Sequence, residues 1–405
     1  MNIVSWAKYA TLNGGVFMNG RYEELDSLRG LAALSVFFGH MYLIFNKTFL
    51  SQLLFKFGVF HFAIAGSEAV VLFFVLSGFV LSLPFYSNRQ FTYSAYVIRR
   101  ICRIYIPYIV AVGFAMLLRE LFYTGKISGL TDWFNSSWSS DLTLSSLKDH
   151  LLLIGTFTSN LDNVVWSLVH EMRISFAFPF IMFLLVRMSW KKGIGLGITL
   201  SVLSVVYSYV TKADFIGTEL YASLHYTAMF VIGALIAKYR NEISNKILHL
   251  HKKLRISLFF IGLILYLYVH PSFVLNKIVH DLHPFYRTVI DTWFVALGAS
   301  ILIIFAITSS RISKILRNAI VKYIGKVSFS LYLSHLVVLL SCVHFLHNRL
   351  PLWGICIVVV IVTFIISSAM YYLVEKPAIS LGRRLAKSLD KSSQVKNVVN
   401  GHAKA

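Results

Sequence analysis

The chain has few charged residues for its length. Only 14% of its 405 residues are Asp, Glu, Lys or Arg, whereas 57% are hydrophobic. Soluble domains carry about 25% charged residues, so this composition argues against a soluble fold. The apolar residues gather in repeated runs of about 20 residues, the length at which an α-helix crosses a bilayer. Because short alternating segments are lacking, we predict an all-α, polytopic transmembrane helical bundle and not a transmembrane barrel.

Cysteine is scarce too, and several catalytic motifs are absent. Cys102, Cys342 and Cys356 form neither a CxxC pair nor a zinc pattern, so the sequence indicates no disulfide framework and no metal site. No Walker A, GxGxxG or HExxH pattern is present, which argues against an ATP pump, a dinucleotide enzyme and a zincin. We expect no permanently bound cofactor.

Ten apolar runs are long enough to span a membrane. They cover roughly residues 28–46, 67–86, 105–123, 163–187, 194–210, 219–237, 256–271, 287–308, 327–346 and 352–374. With both termini in the cytoplasm, 27 of the 38 Lys and Arg residues fall in cytoplasmic segments and eight in outer ones, as the positive-inside rule requires. The net charge of +21 therefore indicates a lipid bilayer as partner and not nucleic acid.

These spans divide the chain into three parts. We predict a cytoplasmic N-terminal segment (1–22), a transmembrane domain (23–377) and a basic cytoplasmic tail (378–405). The tail is polar and carries many Lys and Arg residues, so we expect a mobile end close to anionic headgroups.

The first span carries two polar residues on one face. Arg29 and His40 are eleven residues apart, which is close to three helical turns and about 16 Å. Polar groups inside hydrocarbon are costly and mark candidate functional sites. His40 is a candidate general base that takes a proton from a hydroxyl group; the alternative is a structural hydrogen bond between helices.

Glu171 is a second candidate, in a run that is otherwise apolar to Leu185. Arg173 lies two residues away and does not face it on a helix, so we expect a partner on another helix. His40 is the candidate partner, because a carboxylate can orient an imidazole and stabilise its cation.

Two further groups of polar residues accompany the spans. Arg100 and Arg103, at the cytoplasmic start of the third span, share a helical face and could bind phosphate groups; the alternative is anchoring at the membrane surface. In the ninth span, Ser328, Tyr332 and His335 form one stripe that could line a polar substrate path.

Together these motifs resemble the acyltransferase-3 family of integral membrane acyltransferases. The resemblance runs from about residue 22 to residue 377. The matching stretches are Leu25-Asp-Ser-Leu-Arg-Gly-Leu-Ala-Ala with Arg29-x10-His40, Phe73-Phe-Val-Leu-Ser-Gly-Phe79, Arg100-x-x-Arg103 with Pro107, Trp166-Ser-Leu-Val-His-Glu171, Ser328-Phe-Ser-Leu-Tyr-Leu-Ser-His335 and Glu375-Lys-Pro377.

The resemblance implies an activity and a location. Members of the family transfer an acyl group, most often acetyl, from cytosolic acyl-coenzyme A to a hydroxyl group of a glycan such as lipopolysaccharide O-antigen, capsule or exopolysaccharide. It implies catalysis by His40, donor binding by Arg29, Arg100 and Arg103, and a bacterial inner membrane. We assign Trp166 to the substrate path. Direct transfer and a covalent acyl intermediate are both open.

The chain departs from the family pattern around Glu171. Val169 stands where a second serine is common, and His170 precedes the glutamate. An aromatic residue commonly follows the glutamate, and here Arg173 and Ile174 stand nearby instead. The role of Glu171 is therefore open.

Two functions from other classes compete with acyl transfer. The first is a transporter or flippase that uses His40 and Glu171 as a proton relay. No matching pair of Gly- or Pro-interrupted spans is visible, which argues against it. The second is a structural scaffold for polysaccharide assembly.

Overall fold

The structure is a computed structural model that describes residues 22–45, 48–87, 92–156, 161–212 and 214–402. The described chain is 82% helical and contains no strands. Its α-helices are α1 (Glu23–Ile44), α2 (Phe49–Ser51), α3 (Gly66–Ser82), α4 (Tyr93–Phe122), α5 (Asp132–Ser136), α6 (Leu144–Leu152), α7 (Val165–Leu185), α8 (Trp190–Thr211), α9 (Leu220–His249), α10 (Lys252–Leu267), α11 (Ser272–Ile278), α12 (Pro284–Thr308), α13 (Ser310–Leu316), α14 (Ala319–Leu346), α15 (Leu352–Met370) and α16 (Lys376–His402). Short 3-10 or π segments are Gln52–Lys56, His61–Ala63, Leu83–Tyr86 and Tyr371–Glu375.

The described residues contain nine helices that are long and apolar enough to cross a membrane. The pair α10 and α11, bent by 50°, forms a tenth candidate span. These elements match the ten predicted runs in order, so the predicted helical bundle is confirmed and the chain is a multi-pass membrane protein. The cytoplasmic position of the two termini stays a prediction.

Helices α1 and α14 pack closely and in parallel. A Cβ atom on Gly30 would lie 2.5 Å from the backbone nitrogen of Gly325, so only glycine allows this approach of the two backbones. His40 and His335, each ten residues after its glycine, also meet. Because both contacts have the same offset, the two helices run in one direction and keep their register.

Helices α3 and α9 form a second close pair near the bundle centre. A Cβ atom on Gly78 would lie 2.1 Å from the carbonyl oxygen of Phe230, and one on Gly233 would lie 2.0 Å from that of Val75. The small residues of the third helix therefore serve helix packing. They hold α3 against α9, which is the most buried of the spanning helices.

Helix α4 begins at Tyr93, well before the predicted start of the third span at residue 105. Thr92 caps it, because its side-chain oxygen accepts a hydrogen bond from the backbone nitrogen of Ala95 at 3.2 Å. Arg100 and Arg103 thus lie inside a continuous helix, where neighbouring elements fix their direction.

The C-terminal segment is helical, and the mobility expected for the tail stays a prediction. It forms α16, which packs along the first turns of α4. Asp390 Oδ1 accepts hydrogen bonds from the backbone nitrogen and the hydroxyl group of Thr92, both at 3.0 Å, and Asp390 Oδ2 lies 3.6 Å from Arg99. These contacts join the part of α16 up to Asp390 to the start of α4.

Candidate active site

Polar side chains from several helices line one cavity of about 120 Å³ inside the bundle. The predicted site residues on its wall are Arg29, Arg100, Arg103, Glu171, Ser328 and Tyr332. Two hydroxyl groups that the sequence did not single out for chemistry, those of Ser77 and Ser167, are there as well. Three guanidinium groups against one carboxylate give the wall a net positive charge.

Glu171 faces α3 and α4 and not His40. Its Oε1 accepts hydrogen bonds from Arg100 Nη2 at 2.8 Å and from the Ser77 hydroxyl group at 3.3 Å. Arg100 Nε also donates to the Ser175 hydroxyl group at 3.2 Å. The expected pairing of Glu171 with His40 is therefore wrong, since α7 turns this carboxylate toward a buried guanidinium that needs a counter-charge.

Arg29 and Arg103 complete the positive wall. Arg29 Nη1 lies 3.3 Å from Asp26 Oδ1, one turn earlier on α1. Among the described residues, Arg103 forms no direct ion pair, and the buried carboxyl group of Glu375 and that of Glu171 are the opposite charges that interact with it. A guanidinium group that faces a cavity and makes no direct ion pair is suited to an anion, and its planar fork fits a phosphate group.

His40 lies opposite His335, and the hydrogen bonds assign the ring protons. His335 Nδ1 lies 2.9 Å from the carbonyl oxygen of Leu331, which can only accept, so Nδ1 carries the proton and Nε2 of the neutral ring accepts. His40 Nδ1 lies 2.9 Å from that Nε2 and must be the donor. His40 Nε2 is then the unprotonated nitrogen, which is the form that a general base needs.

Trp133 packs on the face of the His40 ring. The two ring centroids are 5.4 Å apart, with 8° between the planes. Thr131 fixes this segment to the end of α1, because its hydroxyl group donates to the Leu43 carbonyl oxygen at 2.6 Å and its backbone nitrogen to that of Ile44 at 3.2 Å. The His40 ring is thus held between His335 and Trp133. No sequence signal pointed to Trp133.

Tyr332 connects the cavity to the histidine pair. It lines the cavity, and its ring centroid lies 6.0 Å from that of His335. Its hydroxyl group donates to the Val164 carbonyl oxygen at 3.1 Å and lies 2.8 Å from the Ser167 hydroxyl group. The predicted stripe is therefore divided: Ser328 and Tyr332 face the cavity, and His335 faces His40.

The residues that depart from the family pattern around Glu171 anchor loops. His170 contacts the Ser223 hydroxyl group at 2.7 Å and the Gly217 carbonyl oxygen at 2.8 Å. Arg173 Nη1 donates to the Thr218 carbonyl oxygen at 2.7 Å. Both side chains leave α7 away from Glu171 and tie it to the segment before α9.

Trp166 lies in a different cavity from Ser328 and Tyr332. This second cavity has a volume of about 600 Å³ and is also lined by Glu68, His270, Arg287 and Asp291. Glu68 and His270 belong to a group of three side chains that could hold a metal ion. The predicted substrate path is therefore not one continuous cavity.

His335 is the residue whose position sequence reasoning missed. We placed it on a substrate path, and it is instead the hydrogen-bond partner of His40. The equal spacing of Gly30–His40 and Gly325–His335 was the available signal, because two helices that touch at glycines and run in parallel bring residues of equal offset together. The resulting site combines an oriented imidazole with a positive cavity that extends from Arg29, about 16 Å from His40 along α1, to Tyr332 beside His335.

A family model described as an acyltransferase domain matches residues 22–372, nearly the whole chain. No significant match was found among curated proteins or among solved structures.

Proposed function

Because the chain belongs to the acyltransferase-3 family and is a membrane acyltransferase, we propose that it transfers an acyl group, in the first place acetyl, from acyl-coenzyme A to a hydroxyl group of a glycan. The acceptor is an extracytoplasmic or lipid-linked sugar, as in O-antigen, capsule or exopolysaccharide. The membrane is the bacterial inner membrane, with the donor arriving from the cytoplasm.

The positive cavity supports binding of the donor. Coenzyme A carries phosphate groups, and Arg29, Arg100 and Arg103 offer guanidinium groups around one volume. Glu171 partly compensates this charge by its bond to Arg100, which keeps that guanidinium in place when the cavity is empty. We assign Glu171 a positioning role at the donor site.

The His40–His335 pair is the observation that carries the proposal. His40 Nε2 takes the proton from the acceptor hydroxyl group, whose oxygen attacks the thioester carbonyl carbon. The tetrahedral intermediate collapses, the carbon–sulfur bond breaks, and the proton passes from His40 to the thiolate of coenzyme A. His335 Nε2 accepts the hydrogen bond from His40 Nδ1 and so keeps the second proton of the His40 ring on that nitrogen throughout the reaction. In the alternative route, His40 Nε2 attacks the thioester carbonyl carbon and displaces the thiolate of coenzyme A, and the acceptor hydroxyl group then takes the acyl group from His40 as the carbon–nitrogen bond breaks.

The test uses the full-length protein in nanodiscs with acetyl-coenzyme A and lipid-linked glycan from the producing strain. We expect acceptor-dependent release of free thiol, lost in His40→Ala. His249→Ala is the control, since His249 is exposed and bonds only its own helix, at the Asn245 carbonyl oxygen. Passage of unmodified glycan across a bilayer without thiol release would instead establish the transporter alternative.

A further inference from the structure

A group of three potential metal ligands lies outside the candidate active site. His61, Glu68 and His270 each offer one ligand atom, and these atoms lie within 4.8 Å of one another. The three residues come from the segment before α3, the first turn of α3 and the break between α10 and α11. Glu68 is only 4% exposed, so its carboxylate needs a cation nearby.

An oxygen atom lies next to Nδ1 of each histidine and leaves the Nε2 atom facing Glu68. His61 Nδ1 faces the Phe55 carbonyl oxygen at 3.1 Å, and His270 Nδ1 faces Asp291 Oδ2 at 3.7 Å. Both oxygens are acceptors, so a ring with a single proton carries it on Nδ1 and turns the lone pair of Nε2 toward Glu68. These lone pairs lie 3.5 Å and 3.1 Å from Glu68 Oε1. Opposite the Glu68 carboxylate, each Nε2 position needs a positive charge, which either a second proton on the ring or a shared metal ion supplies.

The spacing suits a tetrahedral zinc ion. Zinc binds imidazole nitrogen and carboxylate oxygen at about 2.0–2.2 Å, which puts two ligand atoms of a tetrahedron about 3.3 Å apart. The two measured spacings, 3.5 Å and 3.1 Å, lie on either side of that value. Zinc-binding histidines also usually donate their other N–H group to a carbonyl or carboxylate oxygen, the position that Phe55 and Asp291 occupy here.

Asp291 is itself held in place. Its Oδ2 accepts a hydrogen bond from the Ser272 hydroxyl group at 2.6 Å, and its Oδ1 accepts one from the Ser272 backbone nitrogen at 2.9 Å. The carboxylate that orients His270 is therefore fixed by the segment that follows His270. Such outer partners are typical of built metal sites.

We propose that His61, Glu68 and His270 bind a zinc ion with one open coordination position. Two histidines and one glutamate are the ligand set of zinc sites that keep a fourth position for water or substrate. Glu68 and His270 line the cavity of about 600 Å³, so a ligand in that cavity can reach the open position. The ion also ties the segment before α3 to the break between α10 and α11. This site is independent of the proposed acyl transfer.

The experiment measures zinc content and affinity of the full-length protein in nanodiscs. After incubation with zinc sulfate and desalting, we expect about one zinc ion per chain, and tetrahedral absorption bands when cobalt replaces zinc. Glu68→Gln and His61→Gln should each lose the ion. Asp291→Asn should lower the affinity about 10- to 100-fold through loss of the outer partner. His249→Gln is the matched control and should bind as the wild type does.

His61→Gln keeps the test decisive if Glu68→Gln does not fold, because it leaves the buried carboxylate in place. Zinc should raise the thermal midpoint of the wild type and leave that of His61→Gln unchanged. Wild-type protein with no more zinc than His61→Gln, or a Glu68→Gln variant that folds and binds zinc normally, would contradict the site. Two doubly protonated histidines around Glu68 would then explain the cluster.

Discussion

Replacing His335 by alanine removes the acceptor that fixes the proton of the His40 ring. In the intact pair, His40 Nδ1 donates to His335 Nε2 over 2.9 Å, which leaves His40 Nε2 free to accept. Without His335, the proton can move to His40 Nε2 and the ring can turn away from the acceptor.

The expected loss of kcat in His335→Ala lies between the cost of one lost hydrogen bond and the cost of losing the general base. The lost hydrogen bond is worth about 0.5–1.5 kcal/mol, and about 1.4 kcal/mol corresponds to a tenfold change in rate. Loss of a general base altogether costs about 10²- to 10⁴-fold. We expect kcat of His335→Ala to fall by about 10- to 100-fold, which is less than the loss in His40→Ala.

Thiol release in nanodiscs measures this prediction. The KM for acetyl-coenzyme A should stay unchanged, because His335 does not line the positive cavity that contains Arg29, Arg100 and Arg103. His335→Gln should retain more activity than His335→Ala, since the amide oxygen of glutamine can accept the proton of His40 Nδ1. Wild-type kcat in His335→Ala, or a raised KM with normal kcat, would refute the role given to the pair.

Three further predictions concern the donor site, the helix register and a buried carboxyl group. Arg103→Ala should raise the KM for acetyl-coenzyme A at least about tenfold with little change in kcat, since a hydrogen bond to a charged group is worth about 1.5–3 kcal/mol. Gly30→Ala should lower stability by about 1–3 kcal/mol and reduce activity, because the new Cβ would lie 2.5 Å from Gly325. Burial raises the pKa of Asp162, which lies before α7, to about 8. The folded chain then keeps a proton that the unfolded chain releases, so the thermal midpoint should fall from about pH 5 to pH 8, and less so in Asp162→Asn.

Each of these predictions has a control or a contrary outcome. Arg103→Lys should give an intermediate KM, because lysine keeps the charge but not the planar fork. A Cβ atom on Gly113 meets no atom within 4 Å, so Gly113→Ala should leave stability and activity unchanged. A fall of the midpoint in Asp162→Asn as large as in the wild type would show that another group titrates.

The sequence was sufficient for the spans, because each depends on a local property, the length of an apolar run. The same holds for Arg100 and Arg103, whose three-residue spacing puts them on one face of a helix wherever that helix packs. Both now line the same cavity. The Arg29–His40 offset likewise followed from helix geometry alone.

Contacts between helices could not be predicted in the same way. Glu171 and His40 are both polar groups within apolar spans, and each needs a partner on another helix. The sequence does not show that α7 faces α4 and that α1 faces α14. The cluster of His61, Glu68 and His270 could not be predicted for the same reason, because His270 lies far along the chain from the other two residues and the three match no spacing pattern. Helix packing determines which of these residues meet. Glycines set that packing, but a glycine in the sequence does not show which helix it will contact.

The most direct measurement is a mass spectrum of the surface glycan from cells that carry the wild-type protein, His40→Ala, or neither, at matched levels of membrane protein. We expect the mass of an acyl group on the sugar, acetyl in the first place, only with the wild type. An identical degree of acylation in wild-type and His40→Ala cells would contradict the central role of His40 in acyl transfer.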